Sequence, residues 1–208
     1  MLHYETIEPN TLQLLKRLQS LSELTDTRLV GGTALALQLG HRVSVDLDLF
    51  GRWSDDVDFK TLFSSVGRAE KSSSTPNGKM QFYYIDDIKV DCVTYDMYPW
   101  IGDGVEEDGL RLADVTDIAA MKINAITNRG TRKDFIDLYF LLQQFHFADL
   151  MQFYQRKYPD ANPALALRSM VYFVDAEAQP LPKMLVPFDW EECKQEIANA
   201  VRKFVTSI

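Results

Sequence analysis

The sequence predicts an α+β fold, a mixed-sheet lobe with flanking helices followed by a mainly helical C-terminal lobe. Three observations predict it. Residues 43–50 alternate apolar and polar side chains, and 80–85 and 88–95 are rich in β-branched and aromatic residues, as half-buried strands are. Residues 11–24, 114–128 and 132–145 instead repeat apolar residues at helical spacing. The strand signals all precede residue 112, whereas the helical pattern continues to the end. The expected division is therefore an α/β lobe over 1–110 and a helical lobe over 111–208, with the loop from Pro99 to Gly109 leading into the junction.

The elements follow in order. Leu12, Leu15, Leu18 and Leu21 make an amphipathic helix, with Pro9 and Asn10 as start signals. Leu29-Val30 is a short apolar run that ends at Gly31-Gly32. Residues 33–39 read as a helix stopped by Gly40. In the predicted strand over 43–50, Val43, Val45, Leu47 and Leu49 share one face, and Ser44, Asp46 and Asp48 the other. A surface helix is expected over 55–66. Residues 71–78 are turn-rich and end in Asn77-Gly78, a hairpin signal, and Asp86-Asp87 supplies a second tight turn. Asp114 caps the next helix, and Gly130 separates it from the one that starts at Arg132.

Composition narrows the function. The 208 residues are 46% hydrophobic and 12% aromatic, enough apolar material for a packed core. With 22 basic and 30 acidic residues the formal net charge is −8, which argues against a protein that coats nucleic acid by bulk attraction and leaves room for a local basic cleft. Cys92 and Cys193 lie far apart, without partners at metal-ligand spacing. The N-terminus has neither the basic start nor the apolar run of a secretory signal, and no apolar stretch is long enough to span a bilayer. The expectation is a soluble cytoplasmic protein with no membrane partner.

The chemistry concentrates in GGTALALQLGHRVSVDLDLF, residues 31–50. Gly31 and Gly32 allow a tight turn and a close backbone approach to a ligand. Thr33 stands at a helix N-terminus, where free N–H groups and a hydroxyl favour phosphate. Asp46 and Asp48, two apart on a strand, point to one face and repel unless a cation lies between them, and hard oxygen donors suit Mg²⁺ or Mn²⁺. Either feature alone is ordinarily a turn or a solvated face, and it is their order, GG, helix, acidic strand, that signals a site. Asp91 in IKVDCVTY adds a carboxylate on a following strand, on a face shared with Lys89 and Val93. Three such acids can hold two divalent ions for phosphoryl-type transfer. Lys122 lies in a strongly apolar helix, where a lysine either snorkels or points into a cleft. Arg129, Arg132 and Lys133 form a basic cluster that is either a solvated helix junction or an anion cradle.

These motifs resemble the nucleotidyltransferase fold of the polymerase-beta superfamily. The string GGTALALQLGHR-x-S-x-DLDLF, with GLRLADVTDIAAMKINAITNRGTRKDFIDLYFLL at residues 109–142, is similar to the AbiEii/AbiGii toxin family in particular. The resemblance implies a nucleotidyltransferase-like lobe and a helical lobe around a nucleotide cleft. It implies transfer of NMP from an NTP substrate to an acceptor hydroxyl, with a tRNA 3′ end as the acceptor. It further implies the toxin half of a toxin–antitoxin, phage-defence pair, with a cognate antitoxin as partner. Carried onto this sequence, Gly31, Gly32 and Thr33 would hold nucleotide phosphate, with Arg42 and Lys133 in reach of it. Asp46, Asp48 and Asp91 would ligate Mg²⁺ or Mn²⁺. Lys122 would contact the triphosphate, and Asp134, with Asp137, would complete the site. The base is either Asp91, by its position, or Asp134, or the acceptor supplies its own ionised group. Transfer to a protein or a small molecule, and a catalytically inactive nucleotide-binding module, remain alternatives.

Overall fold

The computed structural model describes residues 1–207. Helix α1 (Pro9–Gln19) starts with proline at its first position, where a missing N–H costs nothing. Strand β1 (Thr27–Val30) runs straight into helix α2 (Gly31–Leu39), which stops at Gly40. Strand β2 (Leu47–Gly51) and helix α3 (Phe59–Ser64), capped by the Asp58 carboxylate, lead to strands β3 (Ala69–Ser74), β4 (Met80–Ile85) and β5 (Ile88–Thr94). A hairpin of β6 (Val105–Glu107) and β7 (Leu110–Leu112) precedes helices α4 (Val115–Asn128), α5 (Arg132–Leu142) and α6 (Phe147–Lys157). Short helices α7 (Pro163–Ser169) and α8 (Val174–Glu177) and the long α9 (Trp190–Ser207) complete the described chain.

The strands form one mixed seven-stranded sheet in the order β3-β4-β5-β2-β1-β7-β6. The central pair β1 and β2 is antiparallel, while β2–β5 and β1–β7 are parallel. The fold class expected from the sequence is the one observed. Strands β4 and β5 carry the predicted bounds to within a residue, and the turn between them places Asp86 and Asp87 at φ 50° and 65°, as a type I′ turn requires.

Three local expectations are corrected. Residues 71–74 are not turn but part of β3, an edge strand whose polar side chains face water and so lack the apolar alternation of a buried strand. Within the stretch expected to be loop, Asp108-Gly109 turns the β6–β7 hairpin. The strand predicted over 43–50 begins only at Leu47, because residues 42–44 bond elsewhere. Val43 N–H donates to Lys183 O, Ser44 N–H to Thr6 O, and Arg42 bridges Met184. Val45 is accordingly exposed and Ser44 buried, the reverse of the predicted faces.

A continuous apolar core runs from α1 and the sheet through α4, α5, α6 and α9. Helix α4 is central to it, packing on α6, α5, α2 and α7. Cys92 and Cys193 are both free and buried, as apolar filling. Among the described residues no helix is long and apolar enough to cross a membrane.

One buried ion pair ties the loop after β5 to the helices. Lys157 Nζ, at the end of α6, lies 2.5 Å from Asp117 Oδ1 and 3.0 Å from Pro99 O. It also sits 4.8 Å from the ring centroids of Tyr95 and Trp100. Asp117 in turn accepts the N–H groups of Ile101 and Gly102. Removing one partner of such a pair strands the other charge. Lys157→Met is therefore expected to lose about 3–5 kcal/mol in urea denaturation, and combining it with Asp117→Asn should recover part of that loss.

Candidate active site

The site is built where β1, β2 and β5 meet the first turn of α2 and one face of α4. Gly31 opens α2 at φ 69°, a left-handed conformation that a side chain would strain. A Cβ added there would also run into the Asp48 carboxylate. Gly32 has a different reason to be small, since a Cβ on it would lie 2.5 Å from Arg42 Nη2. Together the two glycines let the start of α2 lie directly against the acidic strand. The first N–H groups of a helix have no acceptor within it, so this start is a ready anion donor.

The carboxylates come from neighbouring strands. Asp48 pairs in register with Asp91 across the parallel β2–β5 ladder, and Asp46 lies just before β2. Burial first, and the neighbouring Asp91 second, push the Asp48 carboxyl up to about 6. Asp91 Oδ1 is buried with no hydrogen-bond partner among the described residues, while Oδ2 lies 2.5 Å from Lys89 Nζ. A crowded carboxylate pair and an orphaned carboxylate oxygen are the donor set a divalent cation would satisfy. Among the described residues, however, no three His, Cys, Asp or Glu are already gathered at ligating separation.

A cleft of about 280 Å³ opens in front of these strands, lined by Gly31 and Asp48 on one side and by Lys122, Asn124, Asn128 and Arg129 on the other. Phe50, Met121 and Tyr158 supply its apolar walls. Gly31, Asp48 and Lys122, far apart in sequence, thus meet in one cavity. Lys122 does not snorkel. It is buried, with Nζ 2.6 Å from Asp137 Oδ2 and 3.1 Å from Asp134 Oδ1. Burial alone would discharge it, but the two carboxylates outweigh that and raise its pKa, so it stays an ammonium. Arg129 adds a second, more exposed cation, held at 3.0 Å from Asp134 Oδ2.

Several expected contacts prove to be internal. Thr33 is buried, and its hydroxyl is spent on the Asp46 carbonyl and on Ser44 Oγ, the latter at 2.9 Å, so it fixes the backbone ahead of Asp48 and does not face a phosphate. Arg42 is 1% exposed and grips Asp137 with Nε at 2.7 Å and Nη2 at 2.8 Å, which leaves it no reach into the cleft. Asp134 works as the N3 residue of a capping box with Thr131 and as the counter-ion of Lys122 and Arg129. Burial opposes its ionisation, yet those cations outweigh it and bring its carboxyl down to about 2, far too acidic for a general base at neutral pH. Lys133 is exposed on the first turn of α5, next in sequence to Asp134 and outside the cleft lining.

Three participants were missed or under-read in the sequence. Arg129 lines the cleft, where the motif left it between solvated junction and anion cradle. Lys89 ion-pairs with Asp91, a contact its i, i+2 spacing on the shared face already allowed. Asp137 joins three groups, Arg42, Lys122 and His41, whose Nε2 lies at 2.8 Å, and no pattern in the sequence marks it above Asp134.

The family model of the nucleotidyl transferase AbiEii toxin, of type IV toxin–antitoxin systems, matches residues 13–205. The chain belongs to that family. It is a nucleotidyltransferase. An uncharacterized Aquifex aeolicus protein, aq_aa25, is 29% identical over 198 residues, which cover 93% of this chain and 95% of the relative. In fold the AbiEii-family chain is similar to JHP933 of Helicobacter pylori, with a TM-score of 0.59 and 20% identity over 97% of this chain and 94% of the other. It is likewise similar to MenT4, a nucleotidyltransferase toxin of Mycobacterium tuberculosis, with a TM-score of 0.59 and 14% identity over 94% of this chain and 81% of the other.

The raised Asp48 carboxyl predicts a stability trade. Its ordinary value is 3.8, so the fold prefers the protonated form. The stability this contributes is present below that value and is lost as the pH rises through about 6. Asp48→Asn, assayed with chelator present, is expected to stabilise the protein by about 1–2 kcal/mol at pH 7.5. The gain should vanish near pH 4, as urea titrations at the two pH values would show.

Proposed function

We propose that this toxin-family nucleotidyltransferase moves NMP from an NTP to the 3′-terminal hydroxyl of a tRNA, in the cleft between an α/β lobe of residues 1–110 and a helical lobe of 111–208. The observation that carries the reading is the convergence of Gly31, Asp48, Lys122 and Arg129 on one cavity, with Asp91 beside Asp48 in the ladder. The triphosphate lies against the start of α2, with Lys122 and Arg129 balancing its charge. Phe50, Met121 and Tyr158 take up the apolar part of the nucleotide. The acceptor oxygen attacks the α-phosphorus, the bond to the bridging oxygen breaks, and pyrophosphate leaves. Asp91 Oδ1, buried without a protein partner, takes the proton of the acceptor hydroxyl.

Asp46, Asp48 and Asp91 would hold Mg²⁺ or Mn²⁺, which when bound supplies charge neutralisation at the reacting phosphate. Thr33 holds Asp46 in place through its carbonyl, and Ser44 Oγ bonds the same Thr33 hydroxyl. Asp134 and Asp137 hold the cations of the helical side and touch no substrate. A tRNA acceptor is supported by the family resemblance and by two exposed cations, Arg129 at the cleft and Lys133 next along the chain, in an otherwise acidic protein. A cognate antitoxin, with a role in phage defence, is the partner the family implies. Transfer to a protein side chain stays as the second reading because Arg129 and Lys133 are few for a polyanion.

Purified protein is to be incubated with each α-labelled NTP, Mg²⁺ and total tRNA. Label is expected on tRNA, with a fall of about a hundredfold or more in Asp48→Ala. Label on protein alone would replace the acceptor. The absence of both label and Mg²⁺-dependent NTP binding would overturn the catalytic reading.

A further inference from the structure

The positive charge in contact with the acidic strands is that of Lys89. Its Nζ lies 2.5 Å from Asp91 Oδ2, on the carboxylate registered directly against Asp48. Lys89 and Asp91 are two apart on β5, so their side chains leave the same face of the sheet. The pair is lopsided in burial. The Asp91 side chain is 13% exposed, whereas that of Lys89 is 41% exposed. Asp91 Oδ2 is thus neutralised by an ammonium whose stem reaches solvent, and Oδ1 by nothing among the described residues.

We infer that Lys89 is a displaceable internal counter-ion of the Asp46, Asp48 and Asp91 cluster, which competes with the divalent cation and so sets the cation concentration at which the site loads. The inference rests on the proposed use of these carboxylates as cation ligands. Asp48 and Asp91, side by side in the ladder, repel one another, Asp46 adds to that repulsion, and the partly buried ladder screens it poorly. A tethered ammonium relieves that repulsion without a bound ion. It is a poor permanent occupant, because an ammonium donates three hydrogen bonds in flexible directions and cannot bring several carboxylates into one coordination sphere. With its stem half in water, Lys89 can swing outward at small cost and hand Asp91 Oδ2 to a divalent ion. Arg42 and Lys122 cannot play this part, because both are locked on Asp137.

The test is Mn²⁺ binding without nucleotide, followed by the loss of the free-ion electron paramagnetic resonance signal at pH 8. Four proteins are compared: wild type, Lys89→Met, Lys89→Arg and Asp48→Asn. Lys89→Met keeps the stem and removes the charge, and it is expected to tighten Mn²⁺ binding about five- to tenfold, as removal of a half-exposed competing charge should. Lys89→Arg should stay within about twofold of wild type, since it keeps the charge. Asp48→Asn should weaken binding. A merely structural Lys89 would loosen the site and weaken binding in Lys89→Met. A Lys89 that serves only as a phosphate ligand would leave Mn²⁺ affinity unchanged. Either result, with Asp48-dependent binding intact in wild type, overturns this inference and leaves the proposed function standing. Mn²⁺ binding by neither wild type nor Lys89→Met overturns both.

Discussion

Asp137 is the constraint on which the rest depends. It is fully buried, and a buried carboxylate is tolerable only if paired and hydrogen-bonded. Its partners come from two directions. His41 and Arg42 follow helix α2 and belong to the sheet side, while Lys122 belongs to α4 and lines the cleft. The cations outweigh the burial and hold the Asp137 carboxyl well below the ordinary carboxylate range. One charge therefore fixes the angle between the start of α2, with its phosphate-ready N–H groups, and the helix that carries the facing lysine. Arg42 closes the arrangement from behind by filling the space that Gly32 leaves free.

This network divides the charged groups of the motif into two sets. Asp137 and Asp134 are held ionised by cations and stay far from titration at neutral pH. Asp48 is pushed the other way by burial and by another acid. Opposite shifts in one neighbourhood are the usual mark of groups with different tasks. The first set positions cations, and the second is in tension until its charge is balanced. The raised Asp48 carboxyl is a cost to the fold of the kind that functional sites carry.

Much of this was legible in the sequence, for identifiable reasons. The turn at Asp86-Asp87 and its two strands follow from local chemistry, and the α4 boundaries from the Asp114 cap. The GG turn and the acidic pair are recognisable because the spacing of chemical groups is itself the signal, whereas Lys122 was singled out through the family resemblance. What stayed hidden depends on distant partners. Nothing in the string HRVSVD says that Arg42 turns inward to Asp137, or that Val43 leaves the strand to bond Lys183. Thr33 looked like a phosphate ligand because a helix start commonly is one, yet here its hydroxyl serves the backbone that carries Asp46. Strand β3 was invisible because an edge strand in water needs no apolar alternation. Lys89 was seen on the right face, but only three dimensions put its ammonium on Asp91.

The segment between α2 and β2 has a consequence for the order in which the molecule matures. His41, Arg42 and Val43 are clasped by residues 183–185, near the far end of the chain, and Asp46 hangs from that same segment. Contacts of such long sequence separation form late, after local helices and hairpins. During synthesis the sheet and α4 can assemble while the clasp is still inside the ribosome. The segment that carries Asp46 is then not yet anchored, and the acidic strand gains its fixed start only when residues 183–185 close over it.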